Sequence, residues 1–427
     1  MSESVDPRSQ WTTDDQLVFE RLERTLEYAR SRDYTGWDYG DGMDSRLLEA
    51  LPVEHKWLNI AFQEAAKRSP INVRPLLMVR QRRNYQGASL FAMVNQTVAD
   101  LLASDAPDAR LAVDYDREAR SLADWLVEHR ITGYSGYCAG YPHPIQHLDG
   151  RGEPGEPDVI NTAFGAKALL RAAEYDPSYA DTVRSAAEFV TEDLEFSAVD
   201  SGRGAVIQYH TKHEEEYYTI NAGAICARLF VDLYAHFGEQ RFLDRALDLF
   251  DHVADLQTDL GGWMYRDPPE ASHLSMDNHH NGFVIESFQR YRSVTGDTRY
   301  DDTLSAALEF YRTELFESDG APNFEEDSRF PRDIHASAQG VLVFTYAGEL
   351  ALARRILQWT LENLYAGDGA FYFKKERYFT KRVVLMRWCQ AWMTYAMSEY
   401  LRARAFGEGL PASAADAATS SEPVTRG

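Results

Sequence analysis

Cysteine is scarce: Cys138, Cys226 and Cys389 are the only three in 427 residues, and no CxxC spacing joins any of them. That argues against a disulfide framework or a cysteine-built zinc centre and fits a reducing compartment. Long apolar runs are missing too. No stretch of about 18 apolar residues occurs, so no transmembrane helix is expected. The opening residues, MSESVDPRSQW, lack the basic and apolar regions of a secretory signal. A cytoplasmic location is expected, with peripheral attachment to the inner membrane face as its variant. Lysine is rare: seven of the 44 Lys and Arg are Lys, against 67 Asp and Glu, for a net charge of −23. Nucleic acid is therefore not an expected partner, because no basic face stands out to meet phosphates. A surface rich in carboxylates, with Arg preferred to Lys, fits a high-salt cytoplasm in which repulsion is screened. An ordinary acidic protein is the alternative.

Apolar content is ample, at 44% hydrophobic and 12% aromatic residues, enough for a large core. Residues 1–86 read as N-terminal helices and a rim loop. An acidic amphipathic helix runs from Asp14 to Arg30, and an aromatic, glycine-rich loop follows from Tyr34 to Asp44. A second helical stretch spans Trp57 to Lys67. Arg74, Arg80, Arg82 and Arg83 then form a basic cluster, expected to pair with carboxylates or, less readily, to hold an anionic ligand. From Gly87 the chain repeats itself. Each unit has a helix of small and apolar residues, a short turn, an amphipathic helix and a Gly/aromatic loop. The first helices begin near Gly87, Asn161, Asn221, Asn281, Ala336 and Arg387, which makes six units, the last completed by an N-terminal helix.

The two helices of a unit differ in kind. Asn221 to Phe237 has almost no polar face, as expected of a helix surrounded by others. In Phe242 to Leu256, Asp244, Asp248, Asp251 and Asp255 form one solvated stripe opposite Leu243, Leu247, Phe250 and Val253. Six inner–outer pairs over 87–406 predict an all-α (α/α)6 toroid with short β loops at one rim. An open helical solenoid is the alternative, but it does not require an aromatic loop after every outer helix. Residues 407–427, rich in Ala, Ser, Glu and Pro, are expected to be a disordered tail.

Because the loops all precede inner helices, the residues at those helix starts should converge. They include Asp158 and Asn161; Tyr218 and Asn221; Asp277, Asn278, His279 and His280; Asp333, His335 and Gln339; and Arg387 and Trp388. With Trp263 they make a set of carboxylates, amides and aromatic faces, which matches the apolar ring faces and hydroxyls of a sugar. Chemistry at a glycosidic centre needs an acid and a base or nucleophile, so Asp277 with Asp158 or Asp333 is the expected catalytic pair. The competing role for each Asp is helix capping, though at Asp277 the neighbouring Asn278 or Asn281 could cap instead. His279 and His280 are adjacent, about 100° apart on a helix, so they are expected to bind substrate rather than share a metal; no metal and no cofactor is expected. Arg387 could read the carboxylate of a uronic acid through its planar fork, or pair with one of the site aspartates.

The runs Asp158-Val-Ile-Asn-Thr-Ala-Phe-Gly, Asp277-Asn-His-His-Asn-Gly-Phe, Phe330-Pro-Arg-Asp-Ile-His-Ala-Ser-Ala-Gln-Gly340 and Met386-Arg-Trp-Cys-Gln-Ala-Trp-Met393 resemble a family of six-hairpin, glycosidase-like toroids encoded with polysaccharide-assembly enzymes. With the acidic composition, the resemblance implies a haloarchaeal component of the pathway that builds the N-linked glycan of surface-layer glycoproteins. It implies that a hexuronic acid of a lipid-linked glycan is processed or added, with glycosyltransferases of that pathway as candidate partners. The alternatives are a catabolic uronyl hydrolase, lyase or epimerase, and a non-catalytic glycan-binding scaffold. Carried over by position, Asp158, Asp277, His280, Asp333, His335, Arg387 and Trp388 are the matching polar residues.

Overall fold

The computed structural model describes residues 7–52, 55–103, 113–146, 151–199, 202–212 and 216–407. Several of its helices start where a short polar side chain satisfies the free N–H groups of a first turn. At α1 (Thr13–Arg30) the device is reciprocal: Thr12 accepts from the Asp15 N–H, and Asp15 accepts from the Thr12 N–H. After the rim loop and α2 (Lys56–Arg68) come α3 (Tyr85–Leu102) with α4 (Tyr115–Glu128), and α5 (Val159–Ala172) with α6 (Ser178–Val183). Next are α7 (Ile220–Phe237) with α8 (Gln240–Asp255), α9 (Asn278–Thr295) with α10 (Asp301–Glu314), and α11 (Ile334–Tyr346) with α12 (Leu350–Leu364). The final helix is α13 (Trp392–Phe406), which the chain enters through a π-helical turn, Met386–Ala391.

The helices α3, α5, α7, α9, α11 and α13 touch in succession, and α13 returns to α3. That closes a ring. Helices α4, α6, α8, α10 and α12 each back one inner helix, and the N-terminal α1 backs α13 as the sixth outer member. The polarity of each helix explains its layer: α7 is buried from Ile220 to Leu233 at all but one position, whereas α8 buries Phe242, Ala246, Leu249, Phe250 and Val253 and turns Asp244, Asp248 and Asp255 outward. Of the expected disordered tail 407–427, Gly407 is described, as the C-cap of α13, and 408–427 lies outside the described residues. Among the described residues no helix is long and apolar enough to cross a membrane.

Short antiparallel ladders make a collar at one end of the ring. Ala139–Gly140 pairs with Pro157–Asp158, which also bridges to His210. Tyr218–Thr219 pairs with Arg266–Asp267, and Arg332–Asp333 with Lys374–Lys375, which pairs in turn with Thr380–Lys381. A repeated side-chain device fixes three of the Gly/aromatic loops to the helices they precede. Asn281 takes both the N–H and the C=O of Trp263 (2.8 and 3.0 Å), and Gln390 does the same to Phe371 (2.8 and 2.9 Å). Thr162 holds Ala139 in this way with its single hydroxyl. Each ladder thus enters an inner helix at its N-terminus, and the helix starts face one opening.

Away from the collar, the inner faces of the ring carry charge. Glu286 on α9 meets Arg228 of α7, Lys167 of α5 at 3.4 Å and Gln339 of α11 at 2.9 Å. Glu399 on α13 meets Arg402 at 3.2 Å and Arg171 at 3.4 Å, and Asp232 meets Arg290 at 2.6 Å.

Candidate active site

Asp277 is the N-cap of α9, its carboxylate accepting the His280 N–H at 3.3 Å. Neither Asn278 nor Asn281 takes the cap as the sequence suggested, since both amides are engaged elsewhere. The two imidazoles also depart from expectation. His280 Nδ1 lies 2.8 Å from one Asp277 oxygen and His279 Nδ1 lies 3.2 Å from the other. Side chains on a first helical turn lean back toward the N-terminus, so two rings about 100° apart both reach the capping residue. The angular ground for separating them is therefore removed, and Asp277, His279 and His280 form a set whose ligand atoms lie within 4.8 Å of one another, compact enough to hold a metal ion.

Asp277 is buried. Burial alone pushes its carboxyl up, but His280 and His279 together outweigh this and hold it below the usual carboxylate range. An ionised carboxylate can only accept, so the hydrogen-bonded Nδ1 of His280 carries its proton, while His279 stands within ion-pair distance of the other oxygen. Burial, and then the neighbouring His280, pushes His279 down to about 3, so its ring is neutral at physiological pH. His335 stacks on His279 at 4.8 Å and lies 4.5 Å from both Trp388 and Trp392. It is buried, and burial holds its ring neutral too.

The other two expected carboxylates also cap helices. Asp158 heads α5 and spends both oxygens on Asn161, accepting the backbone N–H at 2.8 Å and the side-chain amide at 2.7 Å. Burial pushes its carboxyl up to about 7. Asp333 heads α11 and gathers the His335 N–H (2.8 Å) and the Trp388 indole N–H (2.9 Å) on the same oxygen. Burial raises it to about 6. Tyr39, from the rim loop, stacks on Trp388 at 4.5 Å.

Several expected substrate contacts lie beneath the opening instead. Asn278 donates to the Leu315 carbonyl and accepts from Tyr311, so both ends of its amide are used. Trp263 is buried, stacks on Phe288 and donates to the Val253 carbonyl. Gln339 is committed to Glu286, Asn161 to Asp158, and Asn221 is buried at the head of α7. Arg387 pairs with Asp38 at 2.8 Å and donates to Gln86 at 2.9 Å, so its charge is spent on the rim loop rather than on a site aspartate. Tyr218 stays half-buried at the collar. All of these groups lie at or near helix starts, but a first turn points only some of its side chains into the opening.

The structure adds Tyr141 and Arg266, which the sequence did not single out. Tyr141 lies under the Arg387 guanidinium at 5.6 Å, and Tyr265 packs on His280 at 4.5 Å. Arg266 stands over Tyr217 at 3.6 Å and beside Tyr265 at 5.5 Å, and its buried Nε has no hydrogen-bond partner among the described residues. Tyr141 also lines a side cleft of about 440 Å³ with Arg82, Arg83 and Trp125. The site signal for Arg266 and Tyr141 was their place in the Gly/aromatic loops.

Solved structures share this ring of paired helices. A cellobiose 2-epimerase from Bacillus thermoamylovorans matches with a TM-score of 0.59 at 14% identity, over 75% of this chain and 87% of that one. A GH76 α-mannanase from Bacteroides thetaiotaomicron matches at 0.53 and 16%, over 76% and 86%. A family 88 glycosyl hydrolase from Bacteroides vulgatus matches at 0.54 and 11%, over 92% and 99%. The fold is the (α/α)6 toroid. At these identities the likeness establishes the toroid and not its chemistry. No family model and no curated protein matches the sequence.

Proposed function

We propose that the toroid's mouth is the active site of a carbohydrate-processing enzyme that moves a proton on a hexuronic acid, an epimerase-type reaction in the assembly of a cell-surface N-linked glycan. The observation that carries this reading is the pair of imidazoles set against Asp277, His280 hydrogen-bonded to it through Nδ1 and His279 with its Nδ1 3.2 Å from the other oxygen. A neutral Nε2 takes the proton from the carbon next to the uronate carboxyl group, and the electron pair moves onto the carboxyl oxygens. The imidazolium so formed returns the proton to that carbon, and inversion follows when the planar intermediate turns its other face to the imidazolium, which balances the step. Asp277 orients the rings and stabilises the cation that forms. Arg266 supplies the positive charge that the developing dianion needs, the role first expected of Arg387. The faces of Trp388, Tyr39 and Tyr265 suit a sugar ring. The lipid-linked glycan, the surface-layer pathway, its glycosyltransferases and a place at the inner membrane face rest on the family resemblance of the sequence.

One observation favours a second reading. Asp333 has its carboxyl near 6 and a second oxygen without a hydrogen bond among the described residues, the profile of a general acid for glycoside hydrolysis. One experiment tests both. A glucuronate-terminated oligosaccharide is incubated with the protein in deuterated water and, separately, in ¹⁸O-water. Deuterium at the carbon next to the carboxyl group supports proton transfer, ¹⁸O in a released sugar supports hydrolysis, and neither label in any of the common hexuronates would sink both. The pathway is tested by the surface glycan profile of cells whose only copy carries Asp277→Asn: an unaltered hexuronate there removes the biosynthetic role.

A further inference from the structure

The chain's few lysines are not spread evenly. Five of the seven, Lys56, Lys67, Lys374, Lys375 and Lys381, fall within residues 55–83 and 372–382. Those two stretches hold twelve Lys and Arg against two Asp and Glu, in a chain of net charge −23. Buried Asp41 and Asp44 meet Arg74, Arg80 and Arg82 from beneath, yet the exposed charges of both stretches are all cationic: Lys56, Arg68, Arg82, Arg377 and Arg382. The same stretches carry six of the eleven exposed large apolar side chains of the described residues. They are Trp57 (62% exposed), Ile71, Leu76 (73%), Met78, Tyr378 (86%) and Phe379.

The two stretches meet in space and border the mouth. Lys381 donates to the Lys67 carbonyl at the end of α2. The Lys67 ammonium lies 5.1 Å from the ring of Tyr39, which contacts Phe373 at 6.0 Å and stacks on Trp388 of the site. We infer that this face, α2 with the loop after it and the 374–381 hairpin, docks the mouth of the toroid onto an anionic lipid bilayer. Protruding apolar side chains enter the headgroup–acyl boundary while the cations between them meet lipid phosphates. A protein partner fits less well, because the core of a protein interface excludes charge and here cations alternate with the apolar groups. The −23 does not oppose docking at distance, since beyond a Debye length of about 10 Å at 0.1 M salt the remaining carboxylates are screened. Docking deepens the proposed function, because it would present the mouth to a saccharide carried on a lipid.

The test is flotation of the full chain, without saccharide, on vesicles of phosphatidylcholine alone and of phosphatidylcholine with about one third phosphatidylglycerol, at about 0.1 M and 1 M KCl. Circular dichroism checks that the helices persist in each salt. The folded protein is expected to float with the anionic vesicles at least about tenfold better than with the neutral ones, and less at high salt. Trp57→Ser with Leu76→Ser and Met78→Ser should lower binding about tenfold at both salts, and Arg377→Gln with Arg382→Gln should remove most of the salt dependence. Failure of the folded protein to float, or unchanged flotation of both variants, overturns the inference. So does a dimer in the absence of lipid that the Leu76→Ser and Met78→Ser changes dissolve while flotation is absent. His279→Ala should float as the parent does, and absence of proton exchange in the parent protein while it still floats would count against the proposed function and leave docking standing.

Discussion

At the scale of residues, a single buried carboxylate decides what the mouth can do. Asp277 is simultaneously a helix cap, the acceptor for the His280 imidazole and the counter-charge beside His279. Replacing it with Asn keeps the shape but removes the charge, so the imidazolium loses its counter-charge. Asp277→Asn is expected to slow deuterium exchange about 10²–10⁴-fold with helical content unchanged. The pH profile separates the two chemistries. His279 is neutral down to about pH 3, so proton abstraction by its Nε2 stays available through the neutral range and is lost only as pH falls toward that value. An acid role for Asp333 has the opposite sign: the protonated form is present below about pH 6, and the rate falls as pH rises through it. The sequence made Asp277 and its two histidines visible as a polar cluster at a helix head. It did not show both rings folding back on the cap, because that depends on side-chain direction and not on spacing. Nor did it show that Arg387 would be claimed by Asp38, a partner 349 positions away that ring closure brings alongside.

Among the elements, the Gly/aromatic loops and small-residue helices were legible because their patterns are local. Inner helices begin at Tyr85, Val159, Ile220, Asn278 and Ile334, within three residues of the starts read from the sequence. The sixth is displaced, because Met386–Ala391 winds as a π-helical turn before α13. Less legible was what ties such a loop to its helix. Asn281 gives its whole amide to the Trp263 and Asp277 backbones, a role unrelated to substrate. Asn281→Ala leaves a buried N–H and C=O unpaired, and about 1–3 kcal/mol for each such group is the expected loss, read as a lower melting temperature. The capping Asp158 makes a pH-dependent forecast. Its folded value of about 7 lies above the ordinary 3.8, so its contribution to stability is complete below 3.8 and is lost as pH rises through 7. Asp158→Asn, which keeps an acceptor for the Asn161 N–H, should therefore flatten the decline in melting temperature between those limits. An unchanged decline would mean that the Asp158 carboxyl stays ionised in the folded protein.

For the whole molecule, closure of the ring is what turns twelve helices into one site. The N-terminal α1 completes the outer layer beside α13, and Tyr400 and Arg404 of α13 reach Asp15 at 2.8 and 3.2 Å. The inner faces carry the cost of that closure, because helices from opposite ends of the chain meet there through buried charges. Glu286 sits among them, fully buried, with Arg228 and Lys167 as its cations and Gln339 as a further donor. Burial by itself would raise its carboxyl, but Arg228 and then Lys167 hold it down to about 2. Its folded value thus lies below the ordinary 4.5, so its contribution is present above 4.5 and disappears as pH falls through about 2. Glu286→Gln keeps the volume but leaves buried Arg228 with only Asp232 at 3.8 Å and half-buried Lys167 without its carboxylate, and removing one partner of a buried ion pair costs about 3–5 kcal/mol. Chemical denaturation at neutral pH should show that loss together with a weaker acid dependence below pH 4.5. A variant as stable as the parent would place the cohesion of the ring in its apolar packing and leave the charges on its inner faces without a structural role.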